Sequence, residues 1–269
     1  MTDSNEAGPL TIDQDLEQEV EGTDATEDRS RMSFLDHLDE LRKRIIYSLY
    51  ALIACCLVAF FFWEQVFSYF VTYFSAYGGK LIYTEPMAGF MFSLQLTVLL
   101  GVLAAAPFIF SQLWLFVAPG LYTREKRVVI PFVLCSSLLF FAGAYFGHRL
   151  GFPAMWRFFA SYEIAGLSYM PALDITFGFY VKVILGLGLT FQMPMLVYFL
   201  ARFGIVTAKF LVKQFRYAVL IIFIIAAVIT PSADVVTQVI FAAPMLVLYI
   251  LSIGVAWVFG KAKPKEQVR

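Results

Sequence analysis

The first 28 residues contain no lysine, no arginine and no aromatic side chain, but they hold ten acids, from Asp3 to Asp28. A signal peptide or organellar transit peptide needs early positive charge, so neither is expected here. With so few apolar groups and charge of one sign, residues 1–30 cannot offset the entropy of ordering. They are expected to form a disordered, solvated acidic tail that stays on the protein. Cysteine and histidine are almost as scarce. Cys55, Cys56 and Cys135 fall within apolar runs without metal-ligand spacing, and His37 and His148 lie far apart. A metal site and a disulfide framework are therefore not expected. The chain also has no G-x-x-x-x-G-K-[ST] phosphate loop, no internal repeat, and no Ser/His, paired-aspartate or zinc set within its apolar runs. Neither an enzyme nor a bound cofactor nor a nucleic-acid partner is expected.

What is abundant is apolar surface. Hydrophobic residues make up 60% of the 269, aromatic residues 17% and charged residues only 15%. An ordinary soluble domain is less apolar than this, so the chain reads as an all-α, multi-span membrane protein. The zero formal net charge hides a division. Ten of the 20 acids lie in the tail, which leaves ten acids against 20 Lys plus Arg in the rest.

Six apolar runs approach the roughly 20 residues that cross about 30 Å of hydrocarbon. They cover residues 45–63, 87–118, 128–147, 175–200, 217–230 and 235–259. The second contains Pro107 and exceeds one straight crossing, so a tilted or kinked helix is expected. The fifth is about 14 residues, or roughly 21 Å of helix, which is short for a bilayer. Pro107, Pro131, Pro194 and Pro244 recur in or beside spans and should bend them into a concave bundle. Lys and Arg concentrate before span one, before span three, before span five and after span six. The excess of Lys and Arg that marks cytoplasmic loops then puts both termini in the cytoplasm, as an even number of spans requires. This defines a transmembrane domain at 31–260 and a short basic tail at 261–269. Residues 64–85 and 148–174, rich in Phe, Tyr and Trp, are expected at the outer interface, where the second could extend span three before folding over.

Two acids stand among cations at the same predicted membrane face. Glu40 lies on an amphipathic helix headed by the Ser33/Asp36 capping box, and Glu125 lies in Arg124-Glu125-Lys126-Arg127. Each has a local role available: Glu40 can pair with Arg44 at i, i+4, and Glu125 can complement a helix dipole. Together they could instead receive two guanidinium groups, whose forked geometry matches carboxylates. Spacing leaves both readings open. In the spans, Gln192 can hydrogen-bond another helix, Asp234 can cap span six, and Lys182 can snorkel outward. Gly143, Gly147 and Gly151 have the spacing of close helix packing.

The run from Phe34 to Arg44 (FLDHLDELRKR), Ala106-Pro107, the run from Gln112 to Tyr122 (QLWLFVAPGLY), Glu125-Lys126-Arg127, Phe191-Gln192-Met193-Pro194 and Thr230-Pro231 before Asp234 occur in order across about residues 31–260. Together they resemble the signatures of the TatC family, the multi-span receptor of the twin-arginine protein translocase. The resemblance implies a six-helix, glove-shaped bundle that binds twin-arginine signal peptides of folded cargo at the cytoplasmic face of a bacterial inner membrane. It implies that Glu40 and Glu125 bind the arginine pair with Arg42 and Phe116 beside them. It also implies single-span partners, TatA and TatB, several copies in the complex, and the proton motive force as energy source. Asp234 and Gln238 would stand near a partner helix. Gln192 replaces a glutamate that some members carry, which removes an ionisable group from mid-membrane. A small-solute or ion transporter using Lys182, Gln192 and Asp234 is the alternative, although no repeat supports it.

Overall fold

The computed structural model describes residues 37–75, 81–117, 129–161, 170–230 and 234–260, with the backbone alone at Val129. The expected acidic tail, the basic tail and Glu125 lie outside these residues. The chain divides into two units, Met1–Tyr47 and Ser48–Arg269. Within the described residues of the first unit there is helix alone, the opening turns of α1 (His37–Phe61).

The second unit continues with α2 (Trp63–Ser75), α3 (Ala88–Val117), α4 (Val129–Phe146), α5 (Phe152–Ala160), α6 (Leu173–Thr190), α7 (Met193–Arg202), α8 (Ala208–Lys213), α9 (Phe215–Ile229) and α10 (Val235–Phe259). Extended pairing among the described residues amounts to one parallel bridge between Ile82 and Ala172. Among the described residues five helical stretches are long and apolar enough to cross a membrane: His37–Phe61, Ala88–Val117, Ile130–Ala160, Leu173–Arg202 and Val235–Phe259. The fifth expected span appears as α9, an apolar helix of 15 residues. Gln214 precedes it, and Thr230, whose backbone is extended (ψ 133°), ends it.

Pro107 and Pro244 both sit inside continuous helices, α3 and α10. A helix in a packed bundle tolerates the lost backbone bond because neighbouring groups and adjusted turns satisfy the freed carbonyl. Pro194 acts differently. It falls in the first turn of α7, where its missing N–H matters least, and α6 stops just before it at Thr190. The stretch Leu173–Arg202 is thus one apolar passage built from two helices.

The third span is longer than the expected 128–147. Helix runs on from α4 through a π-helical turn, Gly147–Gly151, into α5. Pro153 gives the reason for the wide turn. It has no N–H to offer the carbonyls behind it, and Phe152 N–H reaches back five residues to Gly147 O. The carbonyl of His148 is met instead by the Tyr73 hydroxyl of α2. One proline therefore both loosens the helix and creates the acceptor that α2 docks on.

Among the described residues the buried side chains pack in two clusters. Phe70 and Phe74 of α2, Phe92 of α3, Phe152, Trp156, Phe177 and Tyr180 form the centre of the larger one. Phe92 and Phe177 have ring centroids 4.3 Å apart. The smaller gathers Ala106, Phe110, Trp114, Phe140, Met195 and Phe199, with Trp114 stacked on Phe199 at 4.0 Å. Lipid is as apolar as these rings, so contact geometry and buried hydrogen bonds, more than expulsion from water, hold such a bundle together.

Candidate functional site

Glu40 sits on the first turns of α1, where its Oε1 accepts a hydrogen bond from Arg44 Nη2 at 3.1 Å. The spacing is i, i+4, and the side chains remain 34% exposed for Glu40 and 27% for Arg44. A half-exposed pair of this kind contributes only about 0.3–0.5 kcal/mol. An incoming cation with better geometry can replace it. Around the pair lies an open cleft of about 480 Å³ lined by Asp39, Glu40, Lys43, Arg44 and Tyr47. Two carboxylates and two cations in one small cleft favour an exchange of partners over tight binding of a neutral group. Arg42 is exposed on the same helix. Phe116 is half-buried in the last turn of α3. Glu125 follows α3 in the chain but lies outside the described residues, so its expected meeting with Glu40 does too.

The intramembrane polar residues are held at helix contacts. Gln192, at the α6–α7 break, donates from Nε2 to the carbonyl of Ser136 on α4 at 2.8 Å. The hydroxyl of the same Ser136 accepts from the indole N–H of Trp114 on α3, also at 2.8 Å. Three apolar passages are thus joined through one fully buried serine. Sequence reasoning passed over Ser136. The available signal was the Trp114 indole N–H, which needs an acceptor when buried, together with the Ser136-Ser137 pair in the following span.

Asp234 is the N-cap of α10. Its Oδ1 accepts from Thr237 N at 2.8 Å and its Oδ2 from Thr237 Oγ1 at 2.5 Å. One turn on, Gln238 Nε2 donates to the Phe223 carbonyl of α9 at 2.8 Å. Gln238 therefore ties α10 to α9, while Asp234 fastens the first turn of α10. Asparagine caps a helix as well as aspartate does, but alanine does not. Asp234→Ala is expected to lower stability by about 1 kcal/mol and Asp234→Asn by a few tenths at most, read as the midpoint of denaturant unfolding in detergent. Equal losses in the two variants would transfer the role from capping to negative charge. Lys182 is exposed on α6.

A second polar group escaped the sequence reading. His148, in the π turn, lies with Nδ1 2.9 Å from the Tyr180 hydroxyl and Nε2 3.4 Å from the Tyr69 hydroxyl. The ring stacks on Tyr73 with centroids 4.4 Å apart. Three tyrosines from two other helices thus surround one imidazole, a fastening for α2 that no local pattern announces.

Among the described residues no group of three or more His, Cys, Asp or Glu could hold a metal ion. The sequence model of the Sec-independent protein translocase protein (TatC) family matches residues 36–244, most of the chain. The chain belongs to the TatC family. It is 41% identical over 234 residues to the Sec-independent protein translocase protein TatC of Koribacter versatilis, covering 84% of this chain and 85% of that protein. The TatC protein of Helicobacter pylori strain J99 is 38% identical over 230 residues, covering 86% and 90%. In structure the chain is similar to a crystal structure of a twin arginine translocase receptor, TatC, with a TM-score of 0.75 and 32% identity over 82% of this chain and 97% of that one. A second crystal structure of that receptor, in DDM, gives 0.74 at the same identity over 84% and 100%. The chain is accordingly an all-α membrane protein and a component of a Sec-independent protein translocase, not an enzyme. Nothing in these likenesses supports a transporter of small solutes or ions.

Proposed function

We propose that this chain is the receptor for twin-arginine signal peptides, with Glu40 and Glu125 receiving the two guanidinium groups and Arg42 and Phe116 beside them. It sits in the bacterial inner membrane with six crossings, α9 being the short one, and both termini in the cytoplasm. TatA and TatB join it in a complex holding several copies, and the proton motive force drives passage of folded cargo. The observation that carries this reading is the state of Glu40. Its carboxylate stands in an open cleft, engaged by a weak, half-exposed neighbour on its own helix. Such a group is ready to exchange one arginine for another. An arginine pair contributes charge-assisted bonds worth roughly 1.5–3 kcal/mol each before water and nearby cations reduce them, and a lysine cannot reproduce the bidentate fork.

The test is site-specific photo-crosslinking from positions 40 and 125 to a twin-arginine signal peptide and to the same peptide with two lysines. Capture of the arginine peptide from both positions, at least tenfold above the lysine peptide, is expected. Equal capture of the two peptides, or capture from neither position, would overturn the assignment.

A further inference from the structure

Between α8 and the last turns of α10 lies a cleft of about 610 Å³ that the receptor reading does not use. One wall carries Lys209, Val212 and Lys213, and the other Ile253, Gly254 and Trp257. Lys209 and Lys213 are one helical turn apart and share a face. Both are exposed, and no acid lines the cleft among the described residues. Trp257 is 80% exposed two residues before α10 ends, although the last turns of that helix also bury Tyr249, Ser252 and Ala256. A tryptophan so placed belongs at the headgroup level of a bilayer. The two walls are tied together by the Tyr249 hydroxyl, which donates to the Leu211 carbonyl of α8 at 2.9 Å. The cleft is therefore preformed.

We propose that this cleft binds one anionic phospholipid, its phosphodiester on Lys209 and Lys213 and an acyl chain running along Ile253 and Trp257 over Gly254. Charge selects the occupant. Paired cations at a membrane boundary attract acidic headgroups, and an apolar trough beneath them suits a chain but not a free anion. The basic residues at 261–269 carry the same sign as the lysine pair and make a poor occupant. Gly254 leaves the floor open: a Cβ added there meets no atom within 4 Å. A larger side chain at 254 can therefore fill the trough without disturbing the fold.

The probe is phosphatidylglycerol, with phosphatidylcholine of the same acyl chains as comparison, added to the full-length protein in maltoside detergent and counted by native mass spectrometry. One bound phosphatidylglycerol is expected, at least tenfold tighter than phosphatidylcholine. Near a membrane surface each lysine contributes about fivefold, so the Lys209→Gln/Lys213→Gln variant should bind about 25-fold more weakly. Gly254→Leu should weaken both lipids while leaving the lipid-free melting temperature unchanged. Equal binding of the two lipids, or phosphatidylglycerol binding untouched by either variant, overturns the proposal. Signal-peptide crosslinking at positions 40 and 125 is independent of every one of these readings.

Discussion

Glu125→Ala is expected to abolish export of a twin-arginine reporter while the protein accumulates in the membrane at its normal level. The expected separation of export from insertion follows from where the residue falls. Glu125 lies in the charged run between α3 and α4, outside every apolar passage, so its loss changes neither span length nor the distribution of cations that sets orientation. Its removal leaves Arg124, Lys126 and Arg127 unopposed. If Glu125 is the acceptor proposed above, an arginine pair approaching that face then meets repulsion instead, and the expected loss exceeds that of the missing bonds alone. Removing one partner of a charge-assisted pair costs about 1.5–3 kcal/mol, or roughly 10- to 150-fold in binding. Glu125→Asp keeps the charge on a shorter stem and should retain part of the export. The checks are the ratio of exported to retained reporter and an immunoblot of the membrane fraction. Unchanged export would remove Glu125 from the receptor site, and lost insertion would make it a structural residue.

The spans could be read from sequence because lipid imposes a simple demand: every backbone polar group must be satisfied inside an apolar helix of sufficient length. Ala88–Val117 and Val235–Phe259 fall within a residue of the apolar runs expected for them. The N-cap at Asp234 was legible for a similar reason, since a cap depends on residues within one turn. The third span was not fully legible. Its continuation through Gly147–Gly151 depends on a wide turn allowed by Pro153 and on a hydroxyl from α2, which is 75 residues away in sequence. Helix rotation was also hidden. The fourth helix is apolar all round, so hydropathy does not say which face meets α6 or that Ser136 will join Trp114 to Gln192. At the candidate site, sequence identified Glu40 and its i, i+4 neighbour because the contact is local. A meeting with Glu125 would depend on long-range packing, where local pattern carries no information.

The small residues of α4 supply the rotation that hydropathy lacks, and they set the second large effect. A Cβ at Gly143 would stand 2.6 Å from the Leu187 carbonyl oxygen and 2.9 Å from Gly188 Cα, both on α6. From the other side, a Cβ at Gly188 would stand 2.8 Å from the Phe140 ring of α4. The two helices therefore touch backbone to backbone, each glycine admitting the other helix. A flexible side chain could move aside, but a helix backbone cannot shift without moving its whole passage. Gly143→Ala is expected to lower stability by about 1–3 kcal/mol, the usual cost of overpacking, despite alanine's better helix propensity. Gly143→Leu should exceed what the contact can absorb and leave little folded protein after detergent extraction, judged by a monodisperse elution profile and a melting transition. Gly254→Leu is the internal comparison, because it adds the same side chain to a helical glycine with open space around it. Loss in the first with retention in the second would assign the effect to the α4–α6 contact. A Gly143→Leu protein that elutes and melts like the parent would mean that α4 and α6 do not approach this closely, and the Ser136–Gln192 bond across the same pair of passages would fall with that contact.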